Sequence, residues 1–281
     1  MNQAAPPRRI WLCADDYGIS PGVNRAIREL LEMGRINATS VMMVGPAIGR
    51  DEVKALKEVA EGQSHGAIGL HVTLTAPFFP LSMHFRPLDG GMFLPLARKL
   101  RASLLMRYDR EIVRAEIAAQ LSAFKEAFGH PPAYVDGHQH VQLFPQLRDA
   151  FLSAVKHAAP KAWVRQCGRS LPFGRRLGEP KALLLDSLSV QFRARAKQAG
   201  LAFNPGFAGA YDFARQPDFG QQMQNFLDDL PDGGLVMCHP GFVDQTLIGL
   251  DPLTDQRERE HAYLASDAFL ALLAASRVSL S

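Results

Sequence analysis

The sequence predicts a single parallel α/β domain of barrel type, and three observations support this. Short apolar strands, about seven of them, alternate with amphipathic helices along most of the chain. No glycine-rich phosphate loop follows the first strand, which argues against an open doubly wound sheet. Polar residues suited to chemistry collect where strands end, the position at which barrels of this kind carry their active sites.

Residues 10–14 are apolar and bounded by charge, as in a buried parallel strand. A helix follows, with Ser20 as N-cap, Pro21 at its first position, Val23, Ile27, Leu30 and Leu31 on one face, and Gly34 as its stop. Residues 36–44 read as a second strand, and Val53, Leu56, Val59 and Ala60 mark a second helix ending at Gly62. In residues 67–74, Ile68, Leu70, Val72 and Leu74 alternate with Ala67, Gly69, His71 and Thr73, so His71 faces a side lined by small and polar groups. Residues 76–108 carry Pro77, Pro80, Pro87 and Pro95 and are too long for an ordinary connection. An insertion over one end of the fold is expected there, of the kind that forms lids or binding loops. Beyond it the periodicity predicts helices over 109–128, 145–157, 183–198, 220–230 and 255–275, and strands over 133–138, 162–166, 201–203 and 235–238. No linker-like stretch divides the chain, so one domain over residues 1–281 is expected.

Composition excludes several function classes. The 281 residues are 47% hydrophobic and 21% charged, which rules out disorder as the main state. Lys+Arg number 31 against 28 Asp+Glu, and this formal +3 is scattered, so no nucleic-acid footprint is present. Three cysteines at long spacing, Cys13, Cys167 and Cys238, indicate neither a disulfide framework nor a cysteine zinc site, and a reducing compartment is expected. Cys13 and Cys238 flank the polar strand ends and are expected to alternate away from them as small buried hydrophobes. Residues 1–9 contain no hydrophobic segment of signal-peptide length, and the uncharged stretch 36–49 falls short of the ~20 residues of a bilayer span. A cytoplasmic protein without a membrane span is expected. Nothing in the sequence sets the oligomeric state, with which a homodimer is compatible.

The strand ends carry the chemistry. Asp15 and Asp16 close the first strand, and adjacent carboxylates are costly unless a cation or a partner offsets their repulsion. Alternation would send the two side chains in different directions, one to bind a metal and the other to face a reacting group; a pair of capping or loop aspartates is the plainer alternative. Asp136, His138 and His140 stand at i, i+2 and i+4, which in an extended chain is one face and a metal-ligand spacing, with His140 open to a role as ligand or as substrate contact. His71 and His239 lie near the ends of two further strands. His65, His84, His130, His157 and His261 fall in loops or on helices and are expected to be solvated. One carboxylate and two imidazoles would leave positions for water and substrate, as in a catalytic metal site, with the remaining groups free for proton transfer. No Gly-x-Ser-x-Gly elbow is present, which removes support for a serine hydrolase.

Four segments carry a resemblance: Ala14-Asp-Asp-Tyr-Gly, Ile68-Gly-Leu-His, Tyr134-Val-Asp-Gly-His-Gln-His-Val and Val236-Met-Cys-His-Pro-Gly-Phe-Val-Asp. In this order, from about Arg9 to Asp244, they resemble the successive motifs of the YdjC-like carbohydrate deacetylases, which include chitooligosaccharide deacetylases. The resemblance implies an irregular, TIM-like (β/α) barrel that removes acetyl from an N-acetylated sugar or oligosaccharide. It implies one divalent cation, magnesium foremost, with zinc, manganese or cobalt compatible, on Asp16, His71 and His138. It suggests Asp15 as general base, and similarity to other metal-dependent polysaccharide deacetylases suggests His239 as general acid. Arg165, in Trp163-Val-Arg-Gln, falls where related sequences also have an arginine and could hold Asp15 ionised or contact the sugar. Tyr17 stands where Phe or Leu is frequent and is expected at the pocket edge. Asp136 and His140 are expected to orient ligands or meet substrate. Residues 76–108 resemble nothing familiar and are where sugar length and linkage would be read.

Two other function classes remain compatible with the residues. Two histidines and a carboxylate also form the iron site of non-haem Fe(II) oxygenases, although Asp15 and His239 would then have no evident use. A non-catalytic sugar-binding barrel is the third, since fold alone never proves activity.

Overall fold

The structure, a computed structural model, describes residues 6–62, 66–169, 180–215 and 217–280. Seven parallel strands curl into a barrel-like sheet: β1 (Arg8–Tyr17), β2 (Ala38–Val41), β3 (Ala67–Val72), β6 (Tyr134–Gly137), β7 (Trp163–Val164), β8 (Phe207–Ala208) and β9 (Leu235–Cys238). Their spatial order is β7-β6-β3-β2-β1-β9-β8. Between them run the helices α1 (Pro21–Glu32), α2 (Arg50–Gly62), α4 (Arg110–Phe128), α5 (Leu147–Ala158), α6 (Pro180–Gln198) and α7 (Phe219–Asp228).

The end signals act as local chemistry requires. The Ser20 hydroxyl accepts from the Val23 N–H, and Asp109 does the same for Glu111, each satisfying an orphan donor of the first turn. Gly129, at φ 83°, ends α4 in the left-handed conformation that glycine adopts without penalty. The inward faces so created, Val23, Ile27 and Leu30 of α1 and Val113, Ile117, Leu121 and Phe124 of α4, are buried.

Several boundaries differ from the periodicity. β2 is shorter than 36–44, and just before it the Asn37 side chain stands in as a partner for β1, accepting from Leu12 N–H at 2.7 Å and donating to Ile10 C=O at 2.9 Å. The strand expected over 201–203 is a single bridge from Phe203 to Val164, and β8 forms after Pro205, which has no N–H to give a ladder. At this seam between the sheet's two edges, Asn204 again substitutes, accepting from Gln166 N–H at 2.9 Å and donating to Gln166 C=O at 3.1 Å. The last helix divides at Ser266, whose backbone is extended, into α9 (Asp255–Ala265) and α10 (Asp267–Ala275). Two short elements lay below the reach of periodicity, α8 (Gln245–Leu250) and β10 (Val278–Leu280), the latter pairing parallel to the start of β1.

The insertion at 76–108 contains a hairpin, β4 (Leu88–Asp89) with β5 (Met92–Phe93), and the helix α3 (Leu96–Leu104). Its buried Lys99 ammonium lies 5.0 to 5.2 Å from the rings of Phe85, Phe93 and Tyr108, and burial lowers its pKa to about 7. Phe78, at the start of the insertion, sets its ring edge-on to His138 at 5.8 Å.

Inside the sheet the packing is close. A Cβ at Gly69 would stand 2.4 Å from the Tyr134 ring. That ring cannot yield, since it stacks on Trp163 at 4.5 Å and its hydroxyl meets Cys13 Sγ at 2.9 Å. Gly69→Ala is therefore expected to lower stability by about 1–3 kcal/mol through overpacking, read as a lower urea midpoint at unchanged slope.

Candidate active site

The site begins with an irregularity in β1. Ala14 pairs with Thr39 and Tyr17 with Val41, so three steps on β1 match two on β2. This is a β-bulge, with Asp16 at φ 71°. The bulge cancels the expected alternation: both aspartates turn inward, and His71 Nε2 lies 3.3 Å from Asp16 Oδ1 and 3.9 Å from Asp15 Oδ2. It also sends Tyr17 the other way. Contrary to its expected place at the pocket edge, Tyr17 is fully buried, its hydroxyl donating to the Glu52 carbonyl at 2.9 Å and accepting from Arg28 at 2.9 Å.

β3 and β6 add the next layer. His71 is paired in register with Asp136, and its Nδ1 meets Asp136 Oδ1 at 2.6 Å, which leaves Nε2 to face Asp16. After Gly137 the chain abandons the strand for a 3-10 turn over His138–Leu143, with Gln139 at φ 54° and His140 at φ 59°. Asp136, His138 and His140 therefore do not share one face, as an extended chain would have required. Instead His138 Nδ1 reaches Asp16 Oδ1 at 2.9 Å, while His140 turns away to Cys167 Sγ, 3.4 Å from its Nδ1. Burial, and after it Arg165, lower the His140 pKa to about 3, so its ring is neutral.

Two arginines balance the carboxylates. Arg165, fully buried, places Nη1 2.6 Å from Asp15 Oδ2 and Nη2 2.7 Å from Asp15 Oδ1, 2.5 Å from Asp136 Oδ2 and 2.9 Å from Cys13 Sγ. Cys13 thus points into this cluster and not away from it, because i and i+2 of a strand share a face. Cys238 does lie back, its thiol 3.4 Å from the Cys13 carbonyl. Burial opposes the charge on Asp15, but Arg165 and then His71 outweigh it and hold the carboxyl well below the usual range. Ser40 adds a hydrogen bond to Asp15 Oδ1 at 3.1 Å.

Arg257 and Glu260, on α9, were missed in the sequence. Arg257 donates to Asp16 Oδ2 at 2.7 Å, and Glu260 accepts the His239 N–H at 2.6 Å and the Tyr211 hydroxyl at 2.5 Å. Both are fully buried, but beside the exposed Glu258 and Arg259 no sequence signal distinguishes them. His239 follows β9 with its ring edge-on to Phe213 at 5.5 Å, and burial lowers its pKa. His84, His130 and His157 are exposed, His261 is half-buried 3.4 Å from Glu29, and His65 lies outside the described residues.

Among the described residues, two clusters could hold a cation by spacing: Asp16, His71 and His138, and Cys13, Asp15 and Asp136. The second is filled by the Arg165 guanidinium. The first fits a metal, with two nitrogens turned to one carboxylate oxygen. Burial alone would lower the His71 pKa, yet Asp136 and Asp15 carry it up to about 10.

Residues 9–275 match the model of the YdjC-like protein family. Chitooligosaccharide deacetylases of Yersinia pestis and Yersinia pseudotuberculosis are 26% identical to the chain over 249 residues, 84% of this chain and 82% of theirs. Among solved structures, a protein of Enterococcus faecalis V583 named for cellobiose-phosphate cleavage superposes with a TM-score of 0.72 at 20% identity, covering 98% of this chain and 97% of that one. The lactam utilization protein of Thermus thermophilus gives 0.53 at 17% identity, covering 97% and 98%. At these identities the structural likeness is one of fold.

Proposed function

The chain belongs to the YdjC-like protein family, and we infer from this membership and from its site that it is a carbohydrate deacetylase, releasing acetate from an N-acetylated sugar or oligosaccharide. One observation carries the chemistry: His71 Nε2 and His138 Nδ1 converge on Asp16 Oδ1, at 3.3 and 2.9 Å, beside an Asp15 held ionised by Arg165. Asp16, His71 and His138 would hold a divalent cation, which supplies polarisation of the amide carbonyl and a lowered pKa for water.

The protein's own groups then divide the proton work. Asp15, ionised at neutral pH, accepts the proton of the attacking water, and Arg165 keeps both of its oxygens oriented. His239 delivers a proton to the departing amine nitrogen, its backbone fixed by Glu260. Asp136 orients His71 through Nδ1 and so keeps Nε2 directed inward. Phe78, packed on His138, ties the insertion at 76–108 to the site, which supports its role in reading sugar length and linkage.

Magnesium is the ion that the family resemblance suggests, whereas two imidazole nitrogens suit zinc or cobalt. Acetate release from a panel of N-acetylated mono- and oligosaccharides, after chelator treatment and re-addition of Mg²⁺, Zn²⁺, Mn²⁺ or Co²⁺, tests the assignment. Activity is expected to vanish with the chelator and return with at least one ion. Full metal occupancy without acetate release across the panel would favour a sugar-binding protein, and iron-dependent oxygen consumption would favour an oxygenase. Among the described residues no helix is long and apolar enough to cross a membrane, and the three cysteines are free and buried. Free thiols fit a reducing compartment, which supports work in the cytoplasm.

A further inference from the structure

The two oxygens of Asp16 are divided between different partners. Oδ1 faces His71 and His138, whereas Oδ2 accepts from Arg257 Nη2 at 2.7 Å. A free carboxylate can offer a cation either oxygen or both, and chelation by both would consume a second coordination position. We propose that Arg257 is a positioning residue that reserves Asp16 Oδ2, so that Asp16 offers a cation one oxygen and leaves the remaining positions open for water and the substrate carbonyl. This rests on the metal site inferred above.

Arg257 is itself held for this task. Its Nη2 also donates to Asp251 Oδ2 at 2.7 Å, and its Nε donates to the Leu253 carbonyl at 3.0 Å. Its stem runs past Gly241, where a Cβ would stand 3.3 Å from Arg257 Cδ and 2.8 Å from Val23 Cγ2. Gly241 N–H donates to the Arg257 carbonyl at 3.1 Å, joining the loop after β9 to α9. The guanidinium is 0% exposed, so it acts in a medium where a charged hydrogen bond is strong and water does not compete. Asp16 also has a backbone conformation uncommon for a residue with a side chain, at φ 71°, which a firm partner helps to maintain.

The test is metal binding by chelator-stripped wild type, R257M, R257K and D251N. Co²⁺ affinity is measured by calorimetry, coordination by the visible absorption of bound Co²⁺, and stability by thermal unfolding. Wild type is expected to bind one Co²⁺. R257M is expected to raise Kd by about 10–100-fold, the usual cost of losing a group that orients a ligand, and to change the Co²⁺ band intensity as Asp16 is freed. R257K, which keeps the charge but lacks the Nε–H that anchors the guanidinium to the Leu253 carbonyl, is expected between wild type and R257M. D251N, which loosens the guanidinium while leaving it in place, is expected to raise Kd less than R257M. Wild-type Kd and spectrum in R257M, even with lowered thermal stability, would overturn the proposal by reducing Arg257 to a structural part. Should R257M fail to fold, wild-type behaviour in both R257K and D251N would overturn it equally. Failure of the wild type to bind any ion would instead remove the metal site, and the role of Arg257 with it.

Discussion

Asp15→Asn is expected to slow acetate release by about 10²–10⁴-fold while leaving metal affinity nearly unchanged. The substitution keeps the shape of the side chain and removes its capacity to take a proton. It leaves Asp16, His71 and His138 in place, and Arg165 keeps Asp136 as a partner at 2.5 Å, so the pocket should hold its form. Asp16→Asn should do the reverse, weakening metal binding first and activity as a consequence, because Oδ1 is where both histidine nitrogens point. Turnover and metal affinity measured side by side separate the two aspartates. Near-wild-type turnover in Asp15→Asn would remove it from the role of base.

Arg165→Met should produce the largest loss of stability, about 3–5 kcal/mol, measured by urea unfolding. Its guanidinium lies among Asp15, Asp136 and Cys13, all buried, and ties the end of β7 to β1 and β6. Methionine fills much of the volume but takes the guanidinium from two carboxylates in a medium that cannot solvate them, leaving Asp136 with His71 and Asp15 with Ser40. Arg165→Lys should recover only part of the loss, since one ammonium cannot reproduce the paired contacts to both Asp15 oxygens. Activity should fall in both variants, as Asp15 loses the partner that keeps it ionised and oriented. A loss below about 1 kcal/mol in Arg165→Met would mean that water or another cation replaces the guanidinium, and that the cluster is more open than its burial indicates.

Much of the architecture was legible because it depends on neighbours in the chain. Helix starts at Ser20 and Asp109 and the stop at Gly129 follow from capping within one turn, and the βα alternation follows from the burial period of each segment. The polar residues at strand ends were legible for the same reason: a parallel barrel brings the C-terminal ends of its strands to one mouth whatever their spacing in sequence. Asp15, Asp16, His71 and His138, separated by as many as 123 positions in the numbering, meet there.

The details on which the chemistry depends came from contacts between distant segments. Strict alternation would place Asp15 and Asp16 on opposite faces, and only the mismatch between β1 and β2 turns both inward and Tyr17 outward. His138 and His140 appear equivalent in sequence, but the turn after Gly137 delivers one to Asp16 and the other to Cys167. Arg257 and Glu260 are two charges on a helix of many charges, singled out by which side of α9 meets the barrel. Periodicity reports which face of a segment is buried, through a preference for apolar contact that each residue expresses locally. Bulges, turns and buried ion pairs are settled by register and charge balance between strands and helices far apart in sequence, and those energies exist only once the barrel has closed.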